Sequence, residues 1–208
     1  MTGVLKSLAG AAAAALTVYA FLPYIRGILR GSVRPHVFSW VIWGATTLVV
    51  FFAALQAGGG LGAWVIGLSA TLTLAIAALA WRHRADITIT RLDWLFFVLA
   101  ASSLPLWYLT ANPVWAVVVL TAVDLLGFGP TFRKAWEDPR SESMGFYGLF
   151  VLRNLLVVAA LERYTPATWL FPVAIAVACA LLVAMIALRR RVLPQPARLA
   201  LTPDSRSG

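Results

Sequence analysis

A long uncharged stretch constrains this chain more than any other feature. Between Arg34 and Arg82 there is no Lys, Arg, Asp or Glu. At about 20 residues per transmembrane helix, this stretch is long enough to cross a bilayer twice. The whole chain is only 12% charged, whereas soluble domains carry about 25% charged residues. We therefore expect an all-α integral membrane protein.

Seven apolar segments follow one another along the chain. They predict helices over residues 5–29, 37–56, 63–81, 92–110, 114–136, 144–161 and 167–188. The turn between the second and third helices is predicted at Gly58, Gly59, Gly60 and Gly62, because consecutive glycines favour a turn. The proline-containing remainder, residues 192–208, is predicted to be a disordered cytoplasmic tail.

The basic residues indicate how these helices are oriented. With the N-terminus outside, Lys6 and Arg163 lie on outer segments, and Arg153 lies within the sixth helix. The other 14 of the 17 lie on inner segments: Arg26, Arg30, Arg34, Arg82, Arg84, Arg91, Arg133, Lys134, Arg140, Arg189, Arg190, Arg191, Arg198 and Arg206. Basic residues concentrate on cytoplasmic loops. This predicts seven spans in a plasma membrane, of the bacterial inner-membrane type, with a cytoplasmic C-terminus.

The chain also contains an internal repeat. A shift of 107 positions carries Pro23 onto Pro130, Arg26 onto Arg133, Trp40 onto Tyr147 and Trp43 onto Phe150. Both prolines follow a long apolar run, and both precede a polar connection and a new apolar run opening on aromatic residues. Such self-similarity is the signature of a duplicated structural unit.

The repeat predicts a 3+1+3 architecture. A three-helix unit crosses the membrane an odd number of times, so a direct tandem copy would insert upside down. The extra fourth helix restores the orientation of the second copy. We expect two parallel three-helix bundles, residues 1–84 and 113–191, joined by a linker helix in 85–112. Transporters built on parallel repeats have their substrate site near the membrane midplane.

The first segment has an alternative interpretation as a signal peptide, since Lys6 precedes an alanine-rich apolar run. The repeat argues against it, because the partner of this segment lies in the middle of the chain.

At the level of motifs, the chain resembles the SWEET and PQ-loop superfamily of membrane transporters, as a diverged bacterial-type member. The residues that carry the resemblance are Pro130-Thr131-Phe132, then Ser141-Glu142-Ser143 and Phe146, with Pro23-Tyr24-Ile25 as a diverged equivalent. The resemblance implies passage of a small solute. It also covers receptors on the same fold, so the fold alone does not decide the function.

The chain departs from that pattern at positions that matter for the substrate. The name-giving Gln after Pro is Tyr24 in one copy and Thr131 in the other. Sugar sites of SWEET proteins typically use an Asn in the third and the seventh helix. Here the third helix offers Ser69, Thr71 and Thr73, and the seventh offers Cys179. The lone cysteine, Cys179, excludes an internal disulfide and is expected to be a small packing residue.

Asp124 and Arg153 are the strongest candidates for a functional site. Each lies near the middle of a predicted helix, where a charge costs at least about 2.5–3.5 kcal/mol and points to function by default. The repeat maps them onto Thr17 and Thr46, so only the second copy is charged. Because their helices are consecutive and antiparallel, we predict that the two side chains pair. Two interpretations of this pair remain open: a structural salt bridge, and a pair that faces the substrate.

Further polar and aromatic residues are expected to line or support the same cavity. Asn154 follows Arg153, and Thr46 and Thr47 occupy the matching place in the second helix; they could contact substrate or only hydrogen-bond neighbouring helices. Trp43 shares a helix face with Trp40 and suggests an aromatic wall or gate. The interfacial aromatic belt is the alternative, favoured for Trp40. Ser69 and Thr71 complete the predicted cavity.

Two sets of residues have predicted supporting roles. Pro23 and Pro130 each remove a backbone hydrogen bond late in a helix, which suggests matched hinges or static kinks. A basic cluster on the inner side is suited to anionic lipid head groups; its members are Arg26, Arg30, Arg34, Arg133 and Lys134.

The absent motifs narrow the function. There is no HExxH, no paired-carboxylate motif and no phosphate-binding loop, so we expect no enzyme, cofactor, metal or nucleic-acid partner. The predicted function is a small-solute transporter, either a facilitator or proton-coupled, that alternates access by rocking two bundles. The alternatives are a membrane receptor or scaffold that binds a ligand without moving it, and an accessory subunit. Homo-oligomerisation stays open.

Overall fold

The computed structural model describes residues 3–31, 37–83, 89–140 and 142–192. These residues form helices and contain no strand. The helices are α1 Gly3–Leu29, α2 Val37–Gln56, α3 Gly60–Arg82, α4 Arg91–Thr110, α5 Pro113–Glu137, α6 Met144–Ala160 and α7 Pro166–Val192. The predicted tail at 193–208, Arg34 and the side chains of Pro130 and Lys134 lie outside the described part of the chain.

Five of these helices are long and apolar enough to cross a membrane: α1, α2, α3, α5 and α7. The apolar part of α4, Trp94–Thr110, and the whole of α6 are shorter. An all-helical chain whose long helices are apolar on most of their surface satisfies its backbone hydrogen bonds internally, as the hydrocarbon core requires. The structure is thus compatible with a membrane protein.

The glycine cluster between α2 and α3 forms a tighter connection than predicted. The turn covers only residues 57–59, and Gly58 adopts a φ of 81°, which favours glycine. Gly60, the first residue of α3, also has a positive φ, of 57°, as the predicted turn requires. Gly62 belongs to α3, so the prediction that it breaks the helix is wrong. A Cβ at Gly62 would lie 2.7 Å from both the carbonyl oxygen of Val157 and Cδ2 of Leu161. Gly62 therefore lets α3 pack closely against α6.

The helices pack in a pattern that relates the two ends of the chain. α3 packs against both α1 and α2, and α7 packs against both α5 and α6. Between these groups, α1 packs on α6 and α2 on α5, while α3 contacts α6 and α2 contacts α7. Exchanging α1, α2 and α3 for α5, α6 and α7 leaves this pattern unchanged. α4 packs mainly on α5, with a smaller contact to α2.

The helix ends collect at two opposite ends of the bundle. At one end, Nζ of Lys6 near the start of α1 donates to the carbonyl oxygen of Glu162 just after α6, at 3.3 Å. At the other, Nη2 of Arg189 in α7 donates to the carbonyl oxygen of Trp136 in α5 at 3.0 Å. We call these the Lys6 end and the Arg189 end.

The largest buried cluster fills the Lys6 half of the bundle. One layer of it contains Ala13, Val50, Leu120 and Val157, which are all 0–1% exposed. These four come from α1, α2, α5 and α6, one turn beyond Thr17, Thr46, Asp124 and Arg153 toward the Lys6 end. We call them the packed layer. Their near-complete burial shows that the described helices are closely packed at this layer.

Candidate functional site

A cavity of about 250 Å³ lies between the helices, on the Arg189 side of the packed layer. Eight of the 18 residues that line it are aromatic. The aromatic members are Phe21, Trp40, Trp43, Phe128, Phe146, Tyr147, Phe150 and Phe171. The polar and charged members are Thr47, Ser69, Thr73, Asp124, Thr131, Arg153 and Asn154, and Gly127, Ile175 and Cys179 complete it.

Arg153 on α6 is held by three neutral partners. Its Nε donates to the hydroxyl of Thr17 at 3.0 Å, and Nη1 donates to Oδ1 of Asn154 at 2.9 Å. Nη2 donates to the carbonyl oxygen of Val65 at 3.2 Å. The residue is 5% exposed. The guanidinium therefore joins α6 to α1 and α3 without a carboxylate partner.

Asp124 on α5 is less well satisfied. The side chain of Thr46 on α2 lies beside its carboxyl group, but the hydroxyl of Thr46 donates to the carbonyl oxygen of Trp43 at 3.0 Å. Its Oδ1 atom is buried and has no hydrogen-bond partner. An unpaired buried acceptor costs about 1–3 kcal/mol, and more when it is charged. Such a group is a candidate for binding a donor or a cation from outside the chain.

The predicted pairing of Asp124 with Arg153 is wrong. Every guanidinium nitrogen has another partner, and Oδ1 of Asp124 has no hydrogen-bond partner. The physical reason is the helix order. α5 and α6 follow each other in sequence, but each packs against α7, while α6 faces α1 and α5 faces α2. Neighbours in sequence are therefore not the partners in space.

The two contacts that replace the predicted pair are related by the shift of 107 positions. Thr17 corresponds to Asp124, and Thr46 corresponds to Arg153. Thr17 accepts a hydrogen bond from Arg153 across the α1–α6 contact, and Thr46 lies beside Asp124 across the α2–α5 contact. In each contact one member is ionisable and the other is a threonine.

Six of the eight residues predicted for the cavity line it: Trp43, Thr47, Ser69, Asp124, Arg153 and Asn154. Thr46 is buried and does not line the cavity; its side chain lies beside Asp124, and its hydroxyl donates to the carbonyl oxygen of Trp43. Thr71 does not reach the cavity; it is exposed, and its hydroxyl donates to the carbonyl oxygen of Gly67. That these residues contact a substrate stays a prediction.

Sequence reasoning missed several members of the wall. Phe21 and Phe128 are 107 positions apart and both line the cavity, so the repeat carried a signal that could have identified them. Cys179, assigned to packing, is buried and also reaches the wall. Trp40, assigned to the interfacial belt, lines the cavity as well. Phe146 and Thr73 had no comparable signal.

The aromatic rings form connected groups toward the Arg189 end. The rings of Trp40 and Trp43 meet edge to face at 5.6 Å, and Phe146 lies 4.8 Å from Phe150. Trp43 and Phe146 are each 40% exposed, the most of the aromatic wall. The cavity is therefore most accessible at this side, whereas the packed layer closes it toward the Lys6 end.

The remaining predicted residues lie away from the cavity. Pro23 lies within α1, and position 130 lies within the bounds of α5; their role as hinges stays a prediction. Arg26, Arg30 and Arg133 are exposed, as lipid-contacting residues would be. Within the described ranges, no group of His, Cys, Asp and Glu could hold a metal ion.

This arrangement can enclose a small solute with an apolar body and polar or charged groups. The volume lies just below the range of about 300–1,000 Å³ typical of sites for drug-sized ligands. In comparisons with protein-family models, curated proteins and solved structures, nothing matches this chain.

Proposed function

We propose that the protein is a seven-span transporter for a small solute, built from two parallel three-helix bundles, α1–α3 and α5–α7, with α4 as the linker. The exchangeable packing pattern of the two groups supports this architecture. The short α6 has 17 residues and spans about 25 Å at 1.5 Å per residue. A modest mismatch with a hydrocarbon core of about 30 Å is tolerated by tilting or local thinning of the bilayer.

The distribution of basic residues supports an orientation with the Lys6 end outside and the Arg189 end in the cytoplasm. In that orientation the cavity faces the cytoplasm, and the packed layer separates it from the outside. The proposed cycle rocks the two bundles so that the packed layer opens while the aromatic side closes. Pro23 and Pro130 are the proposed hinges, since proline weakens helices where it occurs inside them.

One observation carries the proposal. The cavity is lined by four pairs of residues 107 positions apart, so both bundles contribute matching positions to it. The pairs are Phe21 and Phe128, Trp40 and Tyr147, Trp43 and Phe150, and Thr47 and Asn154. A cavity at the interface of two similar units is suited to alternating access, because rocking of the units changes which side of it is open.

Accessibility to a thiol reagent tests the cycle. Cys179 is the only cysteine, so a Cys179→Ser background allows single cysteines at chosen positions. We expect a membrane-impermeant reagent to modify Val50→Cys, in the packed layer, from the outside, and Phe146→Cys from the cytoplasmic side. Arg163→Cys and Arg191→Cys on the exposed ends serve as controls for sidedness.

A receptor is the competing outcome of this experiment. In a receptor the packed layer never opens, so Val50→Cys would resist the outside reagent while Phe146→Cys reacts from within. Uptake into proteoliposomes gives the second readout. Reaction of Val50→Cys from outside, at a rate that changes with added solute, together with uptake, would support transport.

A further inference from the structure

The cavity wall contains one basic and one acidic side chain that do not pair with each other. Arg153 and Asp124 are its only ionisable members of these two kinds in the described part of the chain. The three hydrogen-bond acceptors of Arg153 are a hydroxyl, an amide and a carbonyl, all of them neutral. Asp124 has one buried oxygen without a partner. Two groups without a counter-charge therefore face one small space.

The structure places the two side chains on different sides of the cavity. Thr17 on α1 and the carbonyl of Val65 on α3 hold the guanidinium on the α1 side. Asp124 lies on α5, which packs against α2, with its carboxyl group beside Thr46. Isolated charges in a membrane interior are costly and mark substrate or ion pathways, so compensation by a bound solute is the natural role for both.

We propose that the solute is a small zwitterion with an apolar body, the chemical class of the neutral α-amino acids. This inference rests on the proposed function for the site, and it adds the substrate class. The carboxylate of the solute would bind Arg153, and its ammonium group would bind the free oxygen of Asp124. The apolar body would lie among the aromatic rings.

The donor count of Arg153 fits this role. A guanidinium has five N–H donors, and the three hydrogen bonds of Arg153 leave one donor on each terminal nitrogen. Charge-assisted hydrogen bonds to a carboxylate are about twice as strong as neutral ones. The same cavity wall includes Trp43 and Phe128, and aromatic faces attract ammonium groups.

Other classes of solute match the wall less well. A neutral sugar leaves both charges without a counter-charge. A simple anion satisfies Arg153 but meets repulsion from Asp124, and a simple cation has the opposite problem. Only a solute with both charges compensates the two residues together.

Binding to the purified full chain tests the class with three matched probes. L-Phenylalanine, 2-phenylethylamine and 3-phenylpropanoate share one body and differ only in charge. L-Leucine, 3-methylbutylamine and 4-methylpentanoate form a second set, and D-glucose is the neutral comparison. By calorimetry we expect the zwitterion of at least one set to bind at least tenfold more tightly than both of its single-charge analogues and than D-glucose.

Two charge-deleting variants identify the contacts. Asp124→Asn should lower the affinity for the zwitterion at least tenfold and raise the affinity for the anion. Arg153→Gln should lower the affinity for the zwitterion and raise the affinity for the amine. If Arg153→Gln does not fold, the Asp124→Asn result alone still tests the proposal. Thr71→Val, outside the cavity, should bind all probes as the wild type does.

The proposal is overturned if no zwitterion binds, if an analogue with one charge binds as tightly as its zwitterion, or if both variants leave the order of affinities unchanged. The outcome is separable from that for transport. Binding of L-phenylalanine without uptake would contradict the proposal of transport and support the proposed class of ligand. Uptake of a neutral solute that is insensitive to both variants would support transport and contradict the proposed class of ligand.

Discussion

Arg153 on α6 donates from Nε to the hydroxyl of Thr17 on α1 across 3.0 Å. The same hydroxyl donates to the carbonyl oxygen of Ala13 one turn earlier, at 2.7 Å. Thr17 thus presents an oxygen lone pair to a buried cation while its own proton remains satisfied within the helix. This contact joins the first and sixth helices at the depth of the cavity.

The first prediction concerns this contact. Thr17→Val keeps the shape of the side chain but removes the acceptor, leaving one donor of a buried guanidinium unpaired. We expect the free energy of unfolding to fall by about 1–3 kcal/mol, measured by thermal or denaturant unfolding in detergent. Thr17→Ser should retain most of the stability, and Thr71→Val on the exposed face of α3 is the matched control. Equal effects of Thr17→Val and Thr71→Val would contradict the prediction.

A second prediction separates stability from function at Asp124. Replacing a carboxylate that has an unpaired buried oxygen by a neutral amide lowers the cost of burial, so Asp124→Asn should unfold at the same or a higher temperature. Uptake into proteoliposomes should fall, because function often retains residues that cost stability. A large drop in melting temperature would instead mean that Asp124 is a structural residue.

Close helix packing gives a third prediction. Gly62→Ala places a Cβ 2.7 Å from a backbone oxygen and a leucine methyl of the α6 region, and overpacking typically costs about 1–3 kcal/mol. Gly148→Ala on α6 meets nothing within 4 Å and should stabilise that helix by about 0.5–1 kcal/mol. The two melting temperatures should move in opposite directions; a shared direction would argue against close α3–α6 contact.

The connection between α5 and α6 supports a fourth prediction. Arg190 of α7 donates from Nε to the carbonyl oxygen of Pro139 and from Nη2 to that of Glu142, both at 2.8 Å. Arg190→Ala should speed amide hydrogen exchange in residues 138–143, followed by mass spectrometry, with little change elsewhere. The neighbouring exposed Arg191, replaced by Ala, should leave exchange there unchanged. Identical exchange in the two variants would remove this role for Arg190.

The helix boundaries were predictable because apolar length and turn residues are local properties. α2 begins and ends at the predicted residues, and the other helices agree within a few positions. The start of α3 was not predictable, because nothing in the sequence shows that Gly62 faces Val157 and Leu161. The sequence alone does not distinguish a glycine needed for close helix packing from a glycine needed for a turn.

The sequence predicted which residues form the site but not which of them contact each other. Depth along each helix identified Asp124 and Arg153, and both line the cavity. Their partners depend on which helices touch, and α7 packing against both α5 and α6 separates them.

The placement of a threonine opposite arginine on one side, and opposite aspartate on the other, has a consequence for how such a protein can evolve. Two identical three-helix chains would place the same residue at both matching positions. A cavity between them would therefore be symmetric, with the same groups on both sides. Once both halves are encoded in one gene, each can mutate alone. The two sides of the cavity then differ, so a solute with unlike ends binds in one orientation.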